Sequence, residues 1–263
     1  MGFVLGLHGP AKAGKDSIAD YLIDVHNWGE KLSFASNLKQ MCRDIFFLSE
    51  ADVETQAGKE KPFPKPKVFT QRNLGSVLYW MSRTHRDFHV SKKSKAKVKS
   101  LVGTTLETPR RILQFVGTDI CRELISSYHR DIVAHQIAKA PDRNYIITDV
   151  RFPNEGDFVL DDLKGCVIEV VRPAPGKENI DRTHPSETAM KEWGRFTDVV
   201  DNNKDGLQML YAEVNNLLKR QNLCQEPQSS SGPKTASSLT EETGAQSDSR
   251  TTTLTSSINA VSE

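Results

Sequence analysis

No apolar run in this chain approaches the ~20 residues that a membrane-crossing helix needs, so nothing in it reads as a bilayer span. The opening run, residues 3–7, is too short for the core of a signal peptide and follows no basic segment, so a cytoplasmic protein is expected. Cysteine is scarce. Cys42, Cys121, Cys166 and Cys224 lie far apart and form no C-x-x-C pair, which argues against a disulfide framework or a zinc ribbon and for reduced thiols. An excess of either charge is lacking too: 35 Lys and Arg face 34 Asp and Glu, a net charge of +1. Stable nucleic-acid binding is therefore not expected, and any polyanion must be met by a local cluster. Residues 225–263 have no aromatic side chain and no periodicity. Such a tail cannot bury enough apolar surface to offset its ordering entropy, and disorder is expected there. Residues 1–224 remain, ample for one core.

What is present begins with that first apolar run. It leads into Gly9-Pro10-Ala11-Lys12-Ala13-Gly14-Lys15-Asp16-Ser17 and then into an amphipathic segment. Strand, glycine-framed loop, Lys and helix together are the context of a phosphate-binding P-loop. The loop's backbone N–H groups wrap a triphosphate, and the helix N-terminus adds partial positive charge. Gly9, Ala11, Lys12, Gly14, Lys15, Asp16 and Ser17 are the candidate contacts, with Lys15 bridging the β- and γ-phosphates. Asp16 stands where the usual pattern has Ser or Thr. A carboxylate suits Mg²⁺, and an acid is also favoured by the helix dipole, so Asp16 fits both readings.

Further along, residues 15–26 read as a helix, 31–34 as a short strand and 36–47 as a second helix. With Pro62, Pro64 and Pro66, residues 54–67 read as loop. A helix is expected over 74–82, and 85–99 reads as basic and irregular. Thr108 is a good N-cap and Pro109 suits the first helical position of a helix running to about 128. Helices at 130–139, 154–163 and 206–220 alternate with strands at 144–149, 166–171 and 198–200. This alternation implies an α/β fold, a doubly wound parallel sheet flanked by helices.

Three other constellations bear on chemistry. Asp149 ends a strand, where a carboxylate points into the ligand crevice of a parallel sheet, so Asp149 is a second candidate metal contact, with Arg151 at the crevice mouth. Arg111, Gln114, Thr118 and Arg122 recur at i, i+3, i+7 and i+11, a polar helical stripe suited to an anionic substrate or simply to solvent. Asp181-Arg182-Thr183-His184-Pro185-Ser186-Glu187 reads as a loop whose His184 and Glu187 are candidate ligand contacts. The run Lys92-Lys93, Lys95, Lys97, Lys99 has no interleaved aromatic residue and reads as a solvated lid or loop.

In order, these motifs are Gly9-x4-Gly14-Lys15-Asp16-Ser17, Arg110-Arg111-x-Leu113-Gln114-x-x-Gly117-Thr118-Asp119, Thr148-Asp149-x-Arg151 and Thr183-His184-x-x-Glu187. Together they resemble the bacteriophage deoxynucleoside monophosphate kinases, from about residue 2 to residue 219 and weakly between 54 and 108. Asp after the loop Lys belongs to that family's pattern. The resemblance implies a nucleoside-monophosphate-kinase-like P-loop fold over 1–224, with 48–107 as a variable lid or acceptor-binding insertion. It implies transfer of the ATP γ-phosphate to a dNMP, with Mg²⁺, and a homodimer. Catalysis falls to Lys15, Arg110, Asp149 and Arg151; Lys39, Arg110, Arg111, Gln114, Thr118, Asp149, Arg151 and Glu155 serve the acceptor. The phosphomevalonate kinases of animals look similar in the Gly-Lys-Asp loop and the Asp-x-Arg strand end, and a non-catalytic nucleotide-binding module is the alternative from another class.

Overall fold

The computed structural model describes residues 2–85, 88–172, 184–203 and 206–221. All lie in the first of two units of the chain, Met1–Glu226; the second, Pro227–Glu263, is outside the described residues, as are Cys224 and the tail expected to be disordered.

Strand β1 (Val4–His8) turns through the glycine loop into helix α1 (Lys15–His26). Next come β2 (Glu30–Leu32), α2 (Ser36–Phe46), α3 (Glu50–Glu54), α4 (Gln56–Glu60), β3 (Lys67–Val68), α5 (Gln71–Thr84), α6 (Lys92–Lys99) and β4 (Thr105–Leu106). Helix α7 (Pro109–Gln114) continues as a π-helical stretch, Phe115–Arg122, and α8 (Tyr128–Lys139) follows. Strand β5 (Tyr145–Ile147) leads to α9 (Pro153–Asp157) and a second π-helical stretch, Phe158–Asp162. Strand β6 (Cys166–Val171), α10 (Pro185–Thr188), β7 (Asp198–Asp201) and α11 (Leu207–Arg220) complete the order.

Five strands form one parallel sheet in the order β2-β5-β1-β6-β7. Its centre, β1, is covered on both faces, which is why it reads as a continuous apolar run. On one face Leu5, Leu7 and Ile168 pack against α1 and α11 through Ile18, Leu22, Leu210 and Val214. On the other, Val4, Ile147 and Val167 pack with Val133, Ile137 and Val159. Gly6 pairs with Ile147, so the glycine loop and the segment from Thr148 onward leave the sheet side by side at its carboxyl edge. That edge, between neighbouring strands with diverging connections, is where ligands bind in doubly wound sheets.

A third apolar cluster is mainly helical, joining Leu38, Met41 and Phe46 of α2 to Leu74, Val77 and Met81 of α5 and to Ile112, Phe115 and Ile120. It also takes in Leu48, Val53, Phe69, Val98 and Leu106, so much of 48–107 has a core under it. The sequence reading needs correction here. Residues 54–67 are not all loop: the Thr55 hydroxyl accepts from Gly58 N at 2.9 Å and starts α4, and Lys67 pairs with Leu106. The stretch 85–99 is not irregular throughout, because Ser91 caps α6 by accepting from Ser94 N at 3.0 Å. The Thr70–Asn73 capping box starts α5 before residue 74. The second strand ends at Leu32 rather than running on to 34, because Ser33, Phe34 and Ala35 turn away to bind Asp149.

Candidate active site

A cleft of about 650 Å³ opens at the carboxyl edge of the sheet. Ala11, Lys12, Lys15 and Asp16 form one wall, and Lys39, Lys59, Arg110 and Gln114 the facing one. Thr148, Asp149, Arg151 and Glu155 lie along its base.

The loop side is built by backbone geometry. Gly14 precedes α1 at φ 104°, a left-handed conformation that disfavours a side chain, and an added Cβ would meet Asn202 Nδ2 at 2.8 Å. The Lys15 ammonium folds back into the loop, donating to the carbonyls of Gly9 at 2.7 Å and Pro10 at 2.8 Å. Burial, with help from the nearby Arg151 charge, pulls its pKa down to about 8. Asp16 is open, its side chain 78% exposed, with Lys31 at 3.5 Å. Gly14 and Ser17 face a second cavity of about 200 Å³, shared with Arg172, Asn202 and Leu210. Two hydrogen bonds tie that wall to the loop: Asn202 Nδ2 donates to Ala13 O at 2.8 Å and Arg172 Nη1 to Lys12 O at 3.1 Å.

Asp149 is the hub of the segment that follows β2. Its Oδ1 accepts from Phe34 N at 2.8 Å, and its Oδ2 accepts from Ser33 Oγ at 2.7 Å and Ala35 N at 3.0 Å. The N-cap of helix α2 is Ala35, which has no capping side chain, and the Asp149 carboxylate, two residues past β5, accepts its N–H instead. This sets the helix that carries Lys39. The expected metal contact at Asp149 thus meets a carboxylate already engaged by three donors, and direct ligation is the weaker use of it.

Glu155 is 2% exposed and pairs with Arg122. Its Oε2 also accepts from Arg151 N at 2.8 Å and Phe152 N at 3.1 Å. Burial pushes its carboxyl up to about 7 against the pull of Arg122. The Arg122 guanidinium lies 3.7 Å from the Phe152 ring centre. Glu155 therefore organises the Arg151 turn from beneath rather than standing open as a contact. Arg151 reaches Glu187 and donates to Ser186 O at 3.3 Å, so α10, from the loop motif, closes on the same cleft. Of that motif, Asp181, Arg182 and Thr183 lie outside the described residues.

Of the expected helical stripe, Gln114, Thr118 and Arg122 line the cleft and Arg111 does not; Arg110 takes its place, and Leu113 and Gly117 line the cleft as well. Residues i, i+3, i+4 and i+7 share a helical face, which centres the stripe on Arg110. Arg111 turns aside to Asp119 at 3.5 Å and to the Phe115 ring. The π-helical stretch keeps Thr118 and Arg122 on the cleft side. Arg130 pairs with Asp131, and the phenylalanines in the cleft lining are Phe34 and Phe152.

Three cations of the cleft are each held by an acid. Arg110 pairs with Glu60 and donates to Gln56 Oε1 at 3.0 Å; Arg151 pairs with Glu187; Lys39 sits 2.6 Å from Glu54. The site is a cleft lined by the P-loop and by these cations from other segments, each held by a carboxylate in a place that suits an anionic group. Gln56, Lys59 and Glu60 went unread because α4 did; the readable signal was Thr55, a capping residue after the Ser49–Asp52 capping box.

Residues 68–214 match the model of a family described as deoxynucleotide monophosphate kinase. The chain is 30% identical over 224 residues to a protein of Acanthamoeba polyphaga mimivirus named "Putative deoxynucleotide monophosphate kinase", covering 80% of this chain and 93% of that one. It is 29% identical over 241 residues to a deoxynucleoside-5'-monophosphate kinase of Escherichia phage T5, covering 82% and 96%. Among solved structures, a dephospho-CoA kinase from Campylobacter jejuni aligns with a TM-score of 0.40 at 10% identity, over 84% of this chain and 98% of that one.

Proposed function

The chain belongs to the deoxynucleotide monophosphate kinase family, and from that premise we propose how its cleft performs the reaction ATP + dNMP → ADP + dNDP. An oxygen of the acceptor phosphate attacks the γ-phosphorus, and the bond from that phosphorus to the β–γ bridging oxygen breaks. The acceptor phosphate is largely ionised at neutral pH, since its second pKa is about 6, so no strong general base is needed. The obstacle is charge. Two unit charges about 4 Å apart repel by about 4 kcal/mol at an effective dielectric near 20, and two phosphates carry several such pairs.

The residues answer that obstacle in two groups. Lys12, Lys15 and the loop amides serve the donor, with Ser17 and the small second cavity on the far side of Gly14. Lys39 and Arg110 serve the acceptor, with Gln114 and Thr118 beside it. Arg151, whose charge acts on both Lys15 and Lys59, serves both phosphates. Arg111 has no part in this account, and Glu155 acts by holding the Arg151 turn. Mg²⁺, bound with ATP, would supply further neutralisation of phosphate charge. Asp16 is the open carboxylate suited to hold it, while any contribution of Asp149 would pass through water. We place this activity in the cytoplasm, of the host if the protein is viral, in a homodimer, and we read 48–107 as the acceptor-side insertion of the kinase domain.

The observation that carries the reading is that Lys39, Arg110 and Arg151 line the same cleft as Lys15, drawn from four separate segments and each bound to an acid or a carbonyl. A cleft for a neutral acceptor has no need of so many cations. An ADP-release assay with the four dNMPs tests it. Turnover with one or more dNMPs is expected; turnover only with a phosphorylated isoprenoid precursor would overturn it.

A further inference from the structure

Of the cations on the acceptor wall, one differs from its neighbours. Lys39 has Glu54, Arg110 has Glu60 and Arg151 has Glu187. Lys59 lines the same cleft, yet no carboxylate pairs with it among the described residues, and its Nζ donates only to the Glu54 carbonyl at 3.2 Å. Its position is fixed by tight packing. A Cβ on Gly58 would stand 2.0 Å from Ala51 O, so α4 approaches α3 more closely than a side chain allows. Glu60 and Gln56, on either side of Lys59 in α4, are bolted to Arg110 of α7.

We propose that Lys59 is a further substrate-binding residue, donating directly to the phosphate of the acceptor nucleotide. The inference rests on the dNMP-kinase reading and names a residue that reading does not use. The argument is electrostatic. Lys59 sits partly buried among Lys39 from α2, Arg110 from α7 and Arg151 after β5, with Glu54 from α3 as the countercharge facing it. The Glu54 carboxylate is committed to Lys39, and Glu60 on its own helix to Arg110. An ammonium among cations, turned to a cleft and lacking its own acid, is satisfied by a dianion. In keeping with this, burial and then the neighbouring cations pull its pKa down to about 8 in the ligand-free state. A phosphate dianion reverses that pull, so binding is strongest while Lys59 is protonated and weakens as pH rises through about 8.

The test measures KM for a dNMP at saturating ATP, KM for ATP, and the inhibition constant of the matching deoxynucleoside, in wild type, Lys59→Met and Lys59→Arg. A charge-assisted contact gives Lys59→Met a dNMP KM raised about tenfold or more, with deoxynucleoside inhibition and ATP KM unchanged. Lys59→Arg recovers most of the affinity and flattens the rise of dNMP KM above pH 8. An unchanged dNMP KM in Lys59→Met, or equal loss of dNMP and deoxynucleoside binding, overturns the inference while the kinase reading stands. A wild type that turns over no dNMP overturns the reading on which it rests. Should Lys59→Met not fold, the pH profile of Lys59→Arg decides: a rise identical to that of wild type overturns the role.

Discussion

The ammonium of Lys15 donates at 2.7 Å to the carbonyl of Gly9, the first residue of its own glycine loop. The side chain that is to grip a triphosphate thus lies inside the loop, taking the loop's own oxygens as acceptors. Binding ATP exchanges those neutral carbonyls for phosphate oxygens, which favour the charged amine far more. Because the ligand-free pKa is down at about 8, ATP affinity should be constant below that pH and decline above it, with a proton taken up on binding in the alkaline range. Titration calorimetry in two buffers of different ionisation enthalpy measures that uptake. Lys15→Met should abolish it and lower kcat by about 10²–10³, the scale of losing one preorganised electrostatic contact.

Asp16 and Asp149 should separate in their response to metal. Asp16 is exposed, with Lys31 at 3.5 Å. Asp16→Ala should weaken ATP binding mainly in the presence of Mg²⁺; equal weakening without metal would remove the metal role.

Asp149→Asn should leave the Mg²⁺ dependence of ATP binding nearly intact. It should instead loosen residues 33–35 and the start of α2, because two of its three donors are backbone N–H groups that would lose a charged acceptor. Losing such hydrogen bonds costs about 1–3 kcal/mol. Stability should fall by that much in denaturant titration, and dNMP KM should rise as Lys39 loses its position.

Glu155 separates a positioning residue from a contact. Removing one partner of a buried ion pair destabilises by about 3–5 kcal/mol, and here the pair is Arg122 with Glu155. Glu155→Gln should lower Tm by roughly 6–20 °C for a domain of this size and reduce kcat through the Arg151 turn. A variant with normal Tm and an altered dNMP KM alone would return Glu155 to direct contact.

What the sequence made legible was local. The glycine loop and its flanks could be read because a backbone turn, a strand and a helix are written within 25 residues, and Thr108-Pro109 announced α7 by capping chemistry alone. The doubly wound sheet followed from alternation. Partnership at long range was not readable. Nothing near residue 35 says that Asp149 will cap α2, and nothing near 155 says that Arg122 will bury its carboxylate. Arg110 and Arg111 are adjacent, and the one that faces the cleft depends on helical phase and on a π-helical stretch that spacing rules do not anticipate. The three prolines at 62, 64 and 66 drew the reading of 54–67 toward loop and hid α4, the helix that holds Lys59.

The central claim is that the cleft takes an acceptor already bearing a phosphate. The most direct measurement compares each dNMP with its deoxynucleoside as acceptor, following ADP release with ATP and Mg²⁺. The account expects turnover of dNMPs to dNDPs and none of deoxynucleosides, with dNMP turnover lost in Arg151→Ala. Turnover of deoxynucleosides at rates comparable to dNMPs, or unchanged dNMP turnover in Arg151→Ala, would contradict it.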